Sequence, residues 1–179
     1  MKGKDLNVFL RPSTLDDAKF IFETRRNPNL NSFLGGEPTS LAGQMEWQKN
    51  YLLRHAAGEE FYFIICKCQS GEACGLLRVY DIKDSACTWG SWVLVKSRPA
   101  GSAIQSAFLS FKFIFNELNL NSAKLKVHKA NIRALRLYTL FGFQIDLELE
   151  EEYAMSLSSC RFASQVEHWS CLLARTEQS

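Results

Sequence analysis

The sequence predicts an α/β (α+β) domain built on a mixed, mostly antiparallel sheet of about seven strands flanked by helices. Three observations predict it. A short strand followed by two amphipathic helices opens the chain, an antiparallel meander of three strands occupies its middle, and a strand–loop–helix–strand–helix–strand series follows.

Val8–Phe–Leu–Arg11 reads as the first strand, and Ser13 or Thr14 caps a helix whose first turn carries Asp16 and Asp17. Ala18, Ile21, Phe22 and Arg25 keep helical spacing, and the helix stops before Asn27–Pro28 because proline pushes its predecessor out of the α region. A polar, glycine-containing loop runs from Asn29 to Pro38. Thr39 or Ser40 caps a second helix with apolar positions at Leu41, Met45, Trp47, Tyr51 and Leu52, ending near Ala57–Gly58. The meander is Phe61–Lys67, Ala73–Tyr80 and Cys87–Val95, turning at Gln69–Ser–Gly71 and Lys83–Asp–Ser85. Ile104, Ala107, Phe108, Phe111, Phe115 and Leu118 form an amphipathic helix with a wide aromatic face. A strand at Ala123–His128, a short helix at Asn131–Leu140 and a strand at Phe143–Leu149 come next. An acidic cluster at Glu150–Glu152 precedes Met155–Ser–Leu–Ser158, Phe162–Cys171 reads as a final strand, and Arg175–Ser179 as a frayed tail.

Composition limits the function classes. With 21 Lys+Arg against 19 Asp+Glu, a net charge of +2, and 46% hydrophobic residues, the chain matches an ordinary globular domain and excludes a nucleic-acid grip made of bulk charge. The length predicts one domain over residues 1–179, with a core at about 8–149 and a C-terminal strand region and tail at 150–179. Apolar runs such as Phe61–Cys66 fall short of the roughly 20 residues that span a bilayer, and the start lacks a signal-peptide pattern, so a soluble, unexported, cytoplasmic protein is expected. Six cysteines, at positions 66, 68, 74, 87, 160 and 171, form no C-x-x-C pair. None of His55, His128 and His168 falls at ligand spacing from a cysteine pair, so no metal is expected and the thiols read as small, reduced, buried groups.

Two segments carry chemistry. Trp92–Val–Leu–Val95 runs into Arg98–Pro–Ala–Gly–Ser–Ala103, from which a helix starts. The first N–H groups of a helix lack intrahelical acceptors and lie at the positive end of its dipole, so such a junction can bind a pyrophosphate. Gly101 lets the backbone approach, Ser102 offers a hydroxyl, and Arg98 a permanent charge.

The second segment is Asn131–Ile–Arg–Ala134–Leu–Arg–Leu137–Tyr138–Thr–Leu–Phe–Gly142–Phe143. It closely resembles the N-x-x-A-x-x-L-Y-x-x-x-G-F motif of the GNAT superfamily of acyl-CoA-dependent N-acyltransferases, and Arg98–Ala103 resembles that family's pyrophosphate loop. The resemblance covers roughly Val8 to Phe143. It implies a GNAT fold with a splayed central strand pair and acetyl-CoA as cosubstrate. By resemblance Arg98, Ala100, Gly101, Ser102 and Ala103 surround the CoA pyrophosphate, Leu94 and Val95 offer backbone groups to the pantetheine arm, and Asn131 meets the same arm. An unpaired N–H in the splay polarises the thioester carbonyl, and Tyr138 matches the tyrosine that protonates the departing thiolate. Pro99 stands where glycine is common in the family, removing one backbone donor. No motif marks a general base; His128, Glu46, Glu72, Asp81 and Asp84 are the residues weighed for it.

The amino-terminal third resembles the branch containing ribosomal-protein alanine N-acetyltransferases and N-acetyltransferases of nucleotide-linked amino sugars, through the Arg25–Arg26–Asn27 ending of the first helix and Trp47 in the second. Arg26, Trp47 and Trp92 are the candidate acceptor-binding residues, with Trp89, Tyr80 and Glu152–Ser158 as further support for a sugar nucleotide. A protein N-terminus is the second acceptor, with Glu37, Glu46 and Glu150–Glu152 as its acidic groups. A CoA-binding module without catalysis is the reading from another class, and a homodimer is a possible assembly.

Overall fold

The computed structural model describes residues 6–30, 33, 36 and 38–175. Glu37 and the tail from residue 176 lie outside the described residues.

Seven strands form one sheet: β1 (Val8–Pro12), β2 (Phe61–Lys67), β3 (Ala73–Lys83), β4 (Ala86–Leu94), β5 (Ser122–His128), β6 (Gln144–Glu148) and β7 (Glu152–Ser158). Their order is β1-β2-β3-β4-β5-β7-β6, and every neighbouring pair is antiparallel except β4 with β5. The helices are α1 (Ala18–Arg26), α2 (Leu41–Ala56), α3 (Ser102–Lys112), α4 (Ile132–Leu140) and α5 (Ser159–Arg175).

The run Phe61–Lys67 shows how the sheet divides the core. Successive strand residues point to opposite faces, so Phe63 and Ile65 enter a large apolar cluster with α3, α4 and α5, while Tyr62, Ile64 and Cys66 join a smaller one with Ile21 of α1 and Tyr51 of α2. A strand covered on both faces reads as continuous hydrophobicity rather than alternation. Gly75 sits where β3 and β4 close on each other: a Cβ there would lie 2.5 Å from the Val93 carbonyl oxygen.

Helix starts follow the expected chemistry. Ser40 caps α2 by accepting from the Gly43 N–H at 3.0 Å, and Asn131 caps α4 by accepting from the Ala134 N–H at 3.2 Å. The α3 helix ends in a π-helical turn, Phe113–Glu117, that turns Phe113, Ile114 and Phe115 into the core.

The C-terminal region corrects the sequence expectation. Phe162–Cys171 is not a strand; it belongs to α5, where Phe162, Trp169 and Leu173 are buried and Val166 packs beside them, a spacing of about one helical turn or two. The last strand is instead β7, whose Met155 and Leu157 are buried and which pairs with β5 on one side and β6 on the other. Arg175 closes α5. No helix among the described residues is long and apolar enough to cross a membrane.

Candidate active site

The site begins with a defect in pairing. Along β3, Leu76 stands opposite Val93 and Arg78 opposite Gly90, so Ser91 and Trp92 together face Leu77: β4 carries a bulge there. Ser91 takes φ of 47°, a region non-glycine residues enter rarely and that favours functional positions. On its other side β4 pairs with β5 only at Ala86–Ser122, Cys87–Ala123 and Thr88–Lys124. Beyond Thr88 the two strands separate and a cleft of about 540 Å³ opens between them.

Trp89, Trp92, Val93 and Leu94 line one wall of this cleft, and Val127, Ala134, Leu137 and Tyr138 the other. The indoles are held from behind by α3: Trp89 Nε1 donates to Ser110 Oγ at 2.8 Å and Trp92 Nε1 to Ser106 Oγ at 3.2 Å. Tyr138 meets the Trp89 ring edge-on at 5.7 Å. Burial pushes the Tyr138 phenol well above its ordinary range, so it stays protonated and has a proton to donate.

Four cations, Lys96, Arg98, Lys126 and Arg133, line the cleft, and no carboxylate does among the described residues. Where β4 ends, the loop turns into α3 with Gly101 as N-cap at φ 74°. The Ser102 hydroxyl donates to the Pro99 carbonyl at 2.6 Å, so it braces the loop from within. The loop is tied from outside too, because the Asn7 amide donates to the Ala100 carbonyl at 3.3 Å while the Asn7 backbone N–H donates to Gln105 Oε1 at 2.9 Å. The helix start leaves the Ala103 and Ile104 N–H groups without an intrahelical acceptor. An apolar slot ending in unpaired N–H donors and a ring of cations fits an acyl-pantetheine carrying a pyrophosphate.

A second cavity, of about 460 Å³, lies over α2. Arg25, Gln44, Trp47, Tyr62, Arg78 and Tyr80 line it, and Ser91 lines both cavities, so they meet at the bulge. Arg78 projects from β3, where it pairs with Tyr62. Its guanidinium lies 4.3 Å from the Tyr80 ring centroid and 5.2 Å from that of Trp47. Behind it Glu60, 3% exposed, takes a bond from Arg78 Nε on one carboxylate oxygen and from Arg54 Nε at 2.8 Å on the other. Burial works to raise the Glu60 pKa, yet the two arginines outweigh it and hold it below the usual carboxylate range.

Of the residues picked out from sequence, Leu94, Arg98, Ala103, Asn131 and Tyr138 line the cleft, Val95, Ala100 and Gly101 belong to the loop beside it, and Ser102 opens α3. Among the acceptor candidates, Trp47 lines the second cavity and Trp92 the cleft. Arg26 lines neither: it is exposed over the Phe22 ring at 5.4 Å, and its neighbour Arg25 faces the cavity instead. Glu46, Glu72, Asp81 and Asp84 line neither cavity. His128 lines the cleft, with Nδ1 accepting from the Ala130 N–H at 3.1 Å and Nε2 4.0 Å from Glu151. Glu152–Ser158 lines neither cavity, being the strand β7. Sequence reasoning passed over Arg25, Gln44, Glu60 and Arg78; the one local signal was a lone arginine inside the apolar run of β3.

The fold defines an acetyltransferase. A family model for the acetyltransferase (GNAT) domain matches residues 7–144, and the chain belongs to that family. Among curated proteins it is similar to the acetyltransferase PseH of Campylobacter jejuni, 24% identical over 147 residues that cover 81% of this chain and 89% of the relative. Among solved structures, apo FdhC, described as a nucleotide-linked sugar GNAT, superposes with TM-score 0.85 and 27% identity over 93% of this chain and 95% of the other. A spermidine N-acetyltransferase from Vibrio cholerae, in complex with CoA and spermine, shares the fold at TM-score 0.76 and 20% identity, covering 88% of this chain and 98% of its own.

Proposed function

We propose that this acetyltransferase transfers an acetyl group from acetyl-CoA directly to the primary amine of a nucleotide-linked amino sugar. The observation that carries the reading is the meeting of the two cavities at Ser91: a cationic, apolar-walled cleft on one side of the bulge and a pocket with two arginines on the other. The likeness to FdhC supports a sugar-linked acceptor, and a polyamine is disfavoured because no described lining residue of the pocket is a carboxylate.

Acetyl-CoA supplies a thioester whose carbonyl the acceptor amine attacks. The residues around it have separable tasks. The N–H groups of Ala103 and Ile104, with Arg98 and Lys96, take the pyrophosphate. Backbone N–H groups of β4 beyond Thr88, left without β5 as a partner, stabilise the oxyanion as it forms. Tyr138, held protonated by burial, donates to the departing sulfur, and the proton that the attacking amine loses restores the phenol, so the products are the amide and the free CoA thiol. A cysteine relay is disfavoured, since burial pushes the Cys74 thiol up to about 11 and that of Cys87 to about 12, far from a reactive thiolate.

The test is calorimetric titration of the chain with acetyl-CoA, followed by a thiol-release assay with nucleotide amino sugars, spermidine and a peptide amine. Thiol release with an amino-sugar nucleotide is expected. Release with spermidine or the peptide alone would overturn the acceptor, and absence of acetyl-CoA binding would overturn the cofactor site.

A further inference from the structure

We infer that the cavity over Trp47 holds a phosphate of the acceptor, and that Arg78, set in place by Glu60, is the residue that selects for it. The inference rests on the reading of the bulge as the reacting centre and goes further by assigning the recognised group and the residues that recognise it.

The polar side chains presented to this cavity are rich in donors. Arg25 and Arg78 bring permanent charge, and Gln44, 5% exposed, has its Nε2 without a hydrogen-bond partner among the described residues. A buried amide N–H₂ left unpaired is costly, and an acceptor oxygen arriving in the cavity would remove that cost. Thr39 adds a hydroxyl at the rim. A set of guanidinium, amide and hydroxyl donors around one volume matches a phosphate, which offers acceptor oxygens and negative charge.

Arg78 is also pre-arranged. With Nε committed to Glu60 and its plane packed by Tyr80 and Trp47, the remaining N–H donors lie on the guanidinium's other edges. Tyr80 can take this place because Gly90 lies beneath it: a Cβ on Gly90 would stand 3.3 Å from the Tyr80 hydroxyl. The carboxylate behind the pocket cannot act as a counter-ion for a cationic acceptor, because both Glu60 oxygens already serve Arg54 and Arg78. The pocket is therefore set against polyamines by charge and suited to a diphosphate-bearing amine.

The experiment uses the whole chain saturated with CoA, so that the pyrophosphate loop is filled and cannot capture the probe. Uridine 5′-diphosphate and spermidine are each titrated by calorimetry into wild type, Arg78→Gln and Glu60→Gln, with CoA affinity measured on the same proteins as a check of folding. Wild type is expected to bind the nucleoside diphosphate and not spermidine, and Arg78→Gln to weaken the nucleotide about tenfold or more with CoA affinity unchanged. Glu60 is a positioning residue: Glu60→Gln should weaken the nucleotide several-fold and leave CoA alone. Spermidine binding without nucleotide binding in the wild type would overturn the inference with no variant needed, as would nucleotide affinity unmoved by Arg78→Gln. CoA binding to wild type in these same titrations would show that the cofactor site stands even if the phosphate pocket does not.

Discussion

The cleft between β4 and β5 and the cavity over Trp47 share one residue, Ser91, yet they are built of different materials. The cleft is largely a property of backbone: two strands that stop pairing after Thr88, and a helix that begins at a left-handed glycine. The cavity is a property of side chains gathered from α1, α2, β2 and β3, held by a buried carboxylate that lines neither cavity. A backbone site tolerates change in most of its side chains but fails when its conformation is blocked. A side-chain site loses specificity residue by residue while the chain still folds.

The largest effect should come from blocking the backbone. Gly101→Glu places a side chain at φ 74°, its Cβ 3.3 Å from the Gln105 amide, and a negative charge at the proposed pyrophosphate site, so acetyl-CoA binding should fall below detection by calorimetry. Next, Tyr138→Phe should lower kcat by about 10²-fold while the KM for acetyl-CoA moves little, because only the proposed proton donor is removed. Steady-state kinetics decide it, and equal loss in both would make Tyr138 a packing residue. In the same assay the wild-type phenol should contribute no basic limb below about pH 10, since burial raises its pKa.

On the other side of the bulge, Trp47→Ala removes the face on which Arg78 and Arg54 lie and should raise the acceptor KM about tenfold with acetyl-CoA unaffected. Acid should loosen the fold through two carboxylates. Asp17 and Glu60 are both held below their ordinary pKa, in each case against the opposing pull of burial, Asp17 by Arg11 and the Thr14 N–H and Glu60 by its arginines. A depressed folded pKa means stability that is complete above the unfolded value of about 4 and is lost as pH falls through the folded one. Thermal melts should therefore hold steady down to about pH 5 and drop below it. The smallest effect is expected from Asn7→Ala, which frees one tie on the Ala100 carbonyl and should weaken acetyl-CoA only about two- to threefold.

The same contrast explains what the sequence disclosed. The cleft was legible because its parts are local: a strand end, a glycine turn, and the Asn131–Phe143 motif around α4, each written in consecutive residues. The cavity was not, because Arg78 earns its place only through its pairing with Tyr62 and its bond to Glu60, and no spacing along the chain records those. Arg26 was chosen over Arg25 for want of the helix's rotation about its axis, which turns the earlier arginine inward. At the C-terminus, the aromatic and valine content of Phe162–Cys171 suggested a strand, whereas the burial of Phe162, Trp169 and Leu173 marks a helix face. Glu152–Ser158 has no element assigned from the sequence, because its strand partners β5 and β6 are supplied by the fold.

The bulge has a bearing on descent. The side chains proposed to recognise the acceptor all precede Ser91 in the chain, while the β4 end, the loop and the α4 residues that line the cleft follow it. Substitutions at Gln44, Trp47 or Arg78 can thus retune which amine is accepted while the parts of the cleft that follow Ser91 are inherited intact. A lineage of such proteins would diversify in substrate faster than in chemistry, with one strained serine as the seam.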